Sequence, residues 1–199
     1  MIDFQTPLCE LAYRYGSDKC PQIKHPFTLF YHELFAAQRM TICKVLEIGI
    51  GDQDEMRWSH VPDYQTGASL KMWRDFFPNA TIYGADIKPG CLFSEDRIRT
   101  YLCDQRDLAS LTALIDRTGG DLDIVIDDGT HIPQDQVSTC RTLMPLLQPG
   151  VTYIIEDVGH NGYRRVLDEL QDYDCRPIRH SKMVFRDDRI VVVRHRGPA

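Results

Sequence analysis

The chain has 199 residues, 43% of them hydrophobic, and a formal net charge of −6. That length bounds it to roughly one domain of ordinary size with a single sizeable core. The acidic balance weighs against nucleic acid or an anionic membrane as partner, since both call for a basic face.

Residues 1–40 are rich in aromatics, with YRYGSDK and HPFTLFYHELF, and are expected to form an N-terminal helical cap. From residue 41 to 199 short apolar runs alternate with helix-like segments. KVLEIGI (44–50) precedes a helical ASLKMWRDFF (68–77), and ATIYGADI (80–87) and IRTYLCD (98–104) follow as strands. DLASLTALIDRTGG (107–120) reads as a helix stopped by glycines. DIVIDDG (123–129) is the next strand, and PQDQVSTCRTLMPLL (133–147) a helix with Pro133 in its first turn. VTYIIEDV (151–158) is a strand, YRRVLDELQDY (163–173) an amphipathic helix, and PIRHSKMVFRDDRIVVVRH (177–195) two strands around a turn at Asp187-Asp188. This alternation predicts an α/β fold: a doubly wound, Rossmann-like sheet, mostly parallel, with an antiparallel C-terminal edge.

The seven cysteines contain no Cys-x-x-Cys pair, and an odd number cannot pair fully. Reduced thiols are expected, not a disulfide framework or a thiolate zinc site. No run approaches the ~18 apolar residues of a membrane span, and MIDFQTPLCE lacks the basic-then-apolar pattern of a signal peptide. A cytoplasmic protein is expected.

In such a sheet, ligands bind beyond the carboxyl ends of the strands, so the residues that end the strands carry the chemistry. The first strand ends EIGIG, where Gly49 and Gly51 permit a tight turn close to a ligand. Asp54 stands where the third glycine of a dinucleotide fingerprint would be, and no Lys-Ser/Thr of a phosphate loop follows. Glu47 repels a pyrophosphate but suits an ammonium group. Asp86 can accept from both ribose hydroxyls, and Asp104 and Gln105 can meet an adenine edge. An amine, a ribose and an adenine without phosphates describe S-adenosylmethionine (SAM) better than NAD.

Strands ending in Asp127-Asp128 and Glu156-Asp157 should lie side by side, roughly 5 Å apart. Four converging carboxylates repel unless protonated or neutralised, and a hard divalent cation such as Mg²⁺ would resolve the conflict. His131, three residues beyond Asp128, is a candidate general base for a hydroxyl.

GSDK (16–19), VLEIGIG (45–51), GASLKMW (67–73), YGADI, CDQRD (103–107), DIVIDDGTH (123–131) and LQPGVTYIIED (147–157) occur in this order. Together they resemble the metal-dependent class I SAM methyltransferases that act on sugar hydroxyls of macrolides and related glycosides; proteins of cephalosporin biosynthesis share the motifs. The resemblance runs from about residue 13 to 158. It implies that Asp128, Glu156 and Asp157 bind Mg²⁺ and that His131 deprotonates the acceptor hydroxyl. It also implies that Glu47, Gly49, Gly51, Ser69, Asp86, Ile87, Asp104, Gln105 and Asp127 hold SAM, with Ser69 near the methionine carboxylate and Asp127 near the amino-acid portion. The implied partner is a small-molecule or glycoside acceptor in natural-product or polysaccharide biosynthesis. Relatives of this type can carry a large further N-terminal domain, and closure of the site by a second subunit is one expectation. The segment 52–66 has no counterpart in the pattern. Three other readings stay open: a catechol-type O-methyltransferase, a SAM-binding accessory protein without turnover, and an NAD-dependent oxidoreductase.

Overall fold

The computed structural model describes residues 2–52, 64–160, 162–178 and 189–197. Most of the 52–66 segment and the turn expected at Asp187-Asp188 lie outside the described residues. In chain order the helices are α1 (Pro7–Tyr15), α2 (Phe27–Phe35), α3 (Ala68–Phe76), α4 (Leu108–Thr118), α5 (Pro133–Leu143) and α6 (Tyr163–Glu169). The strands are β1 (Lys44–Ile48), β2 (Thr81–Asp86), β3 (Ser94–Glu95), β4 (Ile98–Leu102), β5 (Ile124–Asp127), β6 (Thr152–Ile155), β7 (Asp174–Ile178) and β8 (Ile190–Arg194).

The strands form one sheet in the order β3-β4-β2-β1-β5-β6-β8-β7. Strands β4, β2, β1, β5 and β6 pair in parallel, while β8 runs antiparallel to both β6 and β7. The class predicted from the sequence is therefore the one observed. Two details differ. The edge strand β7 begins at Asp174, before the Pro177 expected to open it, and a two-residue β3 flanks β4. Two helices are also shorter than their apolar patterns. α5 passes into a 3₁₀ turn at Met144–Leu146 around Pro145, and α6 stops at Leu170. Proline removes a backbone donor from a helix interior, which explains the first stop.

Period-two alternation splits the strands between two cores. Val45, Ile82, Ile124, Ile126, Ile154 and Val192 face a layer built on Tyr31, Phe35, Trp73, Phe76 and Phe77. Leu46, Ala85, Val125, Tyr153, Ile155 and Val193 face the opposite layer, against Leu111, Leu114, Val137 and Leu143. The N-terminal helices α1 and α2 thus pack into the same core as β1 and α3. Tyr31 meets Trp73 edge-on, with ring centroids 4.9 Å apart. α1 is well bounded: Thr6 Oγ1 accepts from Cys9 N–H, Pro7 opens the helix, and Gly16 closes it at φ +77°.

The chain leaves β1 toward β2 on one side and later returns to β5 on the other. The loops after β1 and β5 therefore diverge, and a crevice opens at their carboxyl ends.

Candidate functional site

A cleft of about 770 Å³ opens at these strand ends. Of the residues expected to act there, Gly49, Gly51, Ser69, Asp86, Ile87, Asp104, Gln105, Asp128, His131 and Asp157 line it. Glu47, Asp127 and Glu156 do not; all three are fully buried behind it.

The glycine turn is dictated by space and conformation. Gly49 has φ +94°, and a Cβ there would lie 2.1 Å from the carbonyl oxygen of Asp128. Only glycine lets the β1 and β5 loops approach this closely. Asp86 ties the turn down. Its Oδ2 accepts from the N–H groups of Ile50 (2.9 Å) and Gly51 (3.2 Å), and its Oδ1 accepts from Lys88 N–H. Ile87, half exposed, follows at the rim. Asp104, also at the rim, accepts from the backbone and guanidinium of Arg106, whose hydrogen bonds hold its carboxyl below the usual range.

Gln105 sits beneath the loop after β5. Its Nε2 donates to Asp127 Oδ1 and Thr139 Oγ1, and its Oε1 accepts from Thr130 N–H at 2.7 Å. Asp127 takes a second bond from the Tyr153 hydroxyl, and burial pushes its carboxyl up to about 6. Asp127, expected near the amino-acid portion of the cofactor, is buried behind the cleft. Asp127 follows Ile126 and is turned by strand alternation to the layer of Val125, away from the cleft. Its neighbour Asp128 is turned toward it.

The same alternation brings Glu47, Asp128 and Glu156 to one face, where a residue the sequence reading left without a role meets them. Lys19, of the GSDK turn, is 1% exposed. Its ammonium donates to Asp128 Oδ2 at 2.6 Å and to Glu156 Oε2, and lies 3.3 Å from Glu47 Oε1. Tyr31 donates to Glu156 Oε1, and Trp73 Nε1 to Glu47 Oε2 at 2.7 Å. Burial alone would strip the Lys19 proton, but Asp128, Glu156 and Glu47 hold the ammonium charged well above its ordinary range. Burial raises the carboxyls of Glu156 and Glu47. Asp128 is depressed, because Lys19 and His131 outweigh its burial. The sequence pointed to the carboxylates of this cluster but not to Lys19 among them, since contacts spanning 109 and 137 positions leave no periodic pattern.

On the open side, Asp128, His131 and Asp157 present ligand atoms within 4.8 Å of one another. His131 Nε2 lies 3.0 Å from Asp128 Oδ1 and 3.7 Å from Asp157 Oδ2. Burial would lower the imidazole, but Asp128 and then Asp157 raise it to about 9. Asp157, pushed up to about 6 by burial and Asp128, keeps Oδ1 buried without a hydrogen bond. His131 (φ +56°) and Asp157 (φ +49°) both adopt the left-handed region, a strain of about 1–3 kcal/mol each that clusters at functional sites. Two carboxylates and an imidazole whose ligand atoms converge this closely are a donor set that fits a hard divalent cation. Of the three expected metal ligands, Asp128 and Asp157 stand in this group; Glu156 faces Lys19 and Tyr31.

No family model matches the chain. Over 151 residues, 76% of its length, it is 40% identical to an 8-demethyl-8-alpha-L-rhamnosyl tetracenomycin-C 2'-O-methyltransferase of Streptomyces olivaceus. The same span is 40% identical to the demethylmacrocin O-methyltransferase of Streptomyces fradiae and to the mycinamicin VI 2''-O-methyltransferase of Micromonospora griseorubida. The matched span covers only 36–37% of these relatives. Among solved structures, the MycE methyltransferase of the mycinamycin pathway, in complex with Mg, SAH and mycinamycin VI, superposes with a TM-score of 0.72 at 29% identity. That superposition covers 95% of this chain and 54% of MycE. CmcI, at 19% identity and a TM-score of 0.60, covers 85% of this chain and 70% of its own and shares the fold. Over most of its length the chain is thus similar to part of sugar O-methyltransferases of macrolide and tetracenomycin pathways, and it has the class I methyltransferase fold.

Proposed function

We propose that the protein transfers the methyl group of SAM to a hydroxyl of a sugar carried by a small-molecule glycoside, with a divalent cation such as Mg²⁺. The observation that carries this reading is that one cleft joins two halves. The glycine turn with Asp86, Asp104 and Ser69 suits a nucleoside and an amino acid. Asp128, His131 and Asp157 suit a cation and a hydroxyl. The names of the relatives support a sugar acceptor.

Asp128 and Asp157 would hold the cation, and Glu156, which Lys19 and Tyr31 engage in this structure, would join them on release from Lys19. When bound, the cation lowers the pKa of a hydroxyl beside it and offsets the carboxylate charge that holds the proton on His131. His131 Nε2, 3.0 Å from Asp128 Oδ1 in this structure, is the atom that would take the hydroxyl proton, with Asp128 then engaged by the cation and not by the ring. The glycine turn and Asp86 hold the nucleoside, so that the sulfonium methyl and the acceptor oxygen meet in line. The gain comes from positioning and from stabilising the developing negative oxygen.

The test is production of S-adenosylhomocysteine by the purified protein with Mg²⁺, SAM and a panel of rhamnosyl or macrolide glycosides and catechols. Glycoside-dependent, chelator-sensitive turnover that Asp128→Ala abolishes is the expected result. Methylation of catechols alone would sink the acceptor assignment, and the absence of any turnover would favour an accessory role.

A further inference from the structure

The buried ammonium of Lys19 uses oxygens that a cation between β5 and β6 would also use. Asp128 Oδ2 and Glu156 Oε2 both accept from it, and Glu47 Oε1 stands 3.3 Å away. Tyr31 occupies the other oxygen of Glu156. That leaves only Asp128 Oδ1 turned outward, 3.0 Å from His131. Without Lys19, three carboxylates would face one another in a dry interior, desolvated and mutually repelling. With it, the inner half of the acidic cluster already has a cation. Two cations a few ångströms apart, screened by little water, repel strongly and cannot both claim the same oxygens.

We infer that Lys19 is a positioning residue that competes with the divalent cation for Asp128 and Glu156. Its ammonium holds both carboxylates inward, and cation binding draws them off it. Lys19 therefore makes the acidic cluster tolerable to the fold and, by the same contacts, weakens the hold on the cation so that it stays exchangeable. The inference rests on the cation site proposed above.

Mn²⁺ is the probe, its free concentration followed by electron paramagnetic resonance on the full chain. Lys19→Met should bind Mn²⁺ about tenfold more tightly or better, and Lys19→Arg, which keeps the charge, within about threefold of wild type, as expected for competing sites coupled by a typical amount. A structural role alone would lower thermal stability in Lys19→Met and leave the Mn²⁺ affinity of the folded protein unchanged. Should Lys19→Met fail to fold, the wild-type protein decides. With ¹⁵N-labelled lysine, the protected ammonium signal that disappears in Lys19→Arg should shift on adding Mg²⁺. An unmoved signal, or unchanged or weakened Mn²⁺ binding by folded Lys19→Met, overturns the inference while leaving the cation site standing. A wild-type protein that binds no Mn²⁺ overturns both.

Discussion

Two residues show how narrowly single side chains are constrained here. Gly49 combines φ +94° with a Cβ position 2.1 Å from the Asp128 carbonyl oxygen. Gly49→Ala should therefore cost more than ~1 kcal/mol of stability and weaken S-adenosylhomocysteine binding, measured by denaturant unfolding and calorimetric titration. Wild-type behaviour in both would refute the close approach. Gln105 was read from the sequence as an adenine partner, and it does line the cleft. Its three hydrogen bonds, however, go to Asp127, Thr139 and the Thr130 backbone. Gln105→Ala should leave Asp127 short of a donor and cost ~1–3 kcal/mol. It should also lower kcat more than it weakens cofactor binding, because the loop carrying His131 loses its brace. If cofactor affinity alone falls, Gln105 reads adenine and does not brace the loop. The sequence placed Gln105 at the right strand end. It could not show that the amide would be used up by its neighbours.

Elements decide which residues share a face. Alternation along β5 puts Asp127 in one layer and Asp128 in the other, so two adjacent aspartates have unrelated neighbours. That much was legible from the pattern, although the faces themselves could be assigned only once β1 and β6 were paired on either side. The join between α1 and α3 carries a testable polar contact. Asp75 accepts from the Tyr15 hydroxyl and from Arg74 Nε. Partial burial would raise its carboxyl, but these bonds outweigh burial and depress it below 3.8. A depressed carboxyl stabilises the fold above its unfolded value and loses that contribution as pH falls through its folded value. Asp75→Asn should accordingly lower the unfolding temperature at neutral pH, with the difference from wild type shrinking below about pH 4. A difference that stays constant across that range would mean the carboxylate charge contributes nothing.

For the whole molecule, ligand binding and folding are linked. S-adenosylhomocysteine at one hundred times its dissociation constant should add ~2.7 kcal/mol to stability if it binds only the folded chain. A thermal-shift series that shows no rise at saturation would remove the cofactor from the proposal. Among the described residues no helix is long and apolar enough to cross a membrane, and all seven cysteines are free. The sequence by itself determined the strand and helix alternation, the glycine turn, the acids that end the strands and the histidine beyond them. Each is a local matter of period, turn chemistry and composition. It did not determine how the acidic cluster is neutralised. Lys19, Tyr31 and Trp73 reach Glu47, Asp128 and Glu156 from the N-terminal segment and from α3, and nothing local requires those meetings. Only packing of the N-terminal helices onto one face of the sheet decides which carboxylates receive an internal cation and which stay open to the cleft.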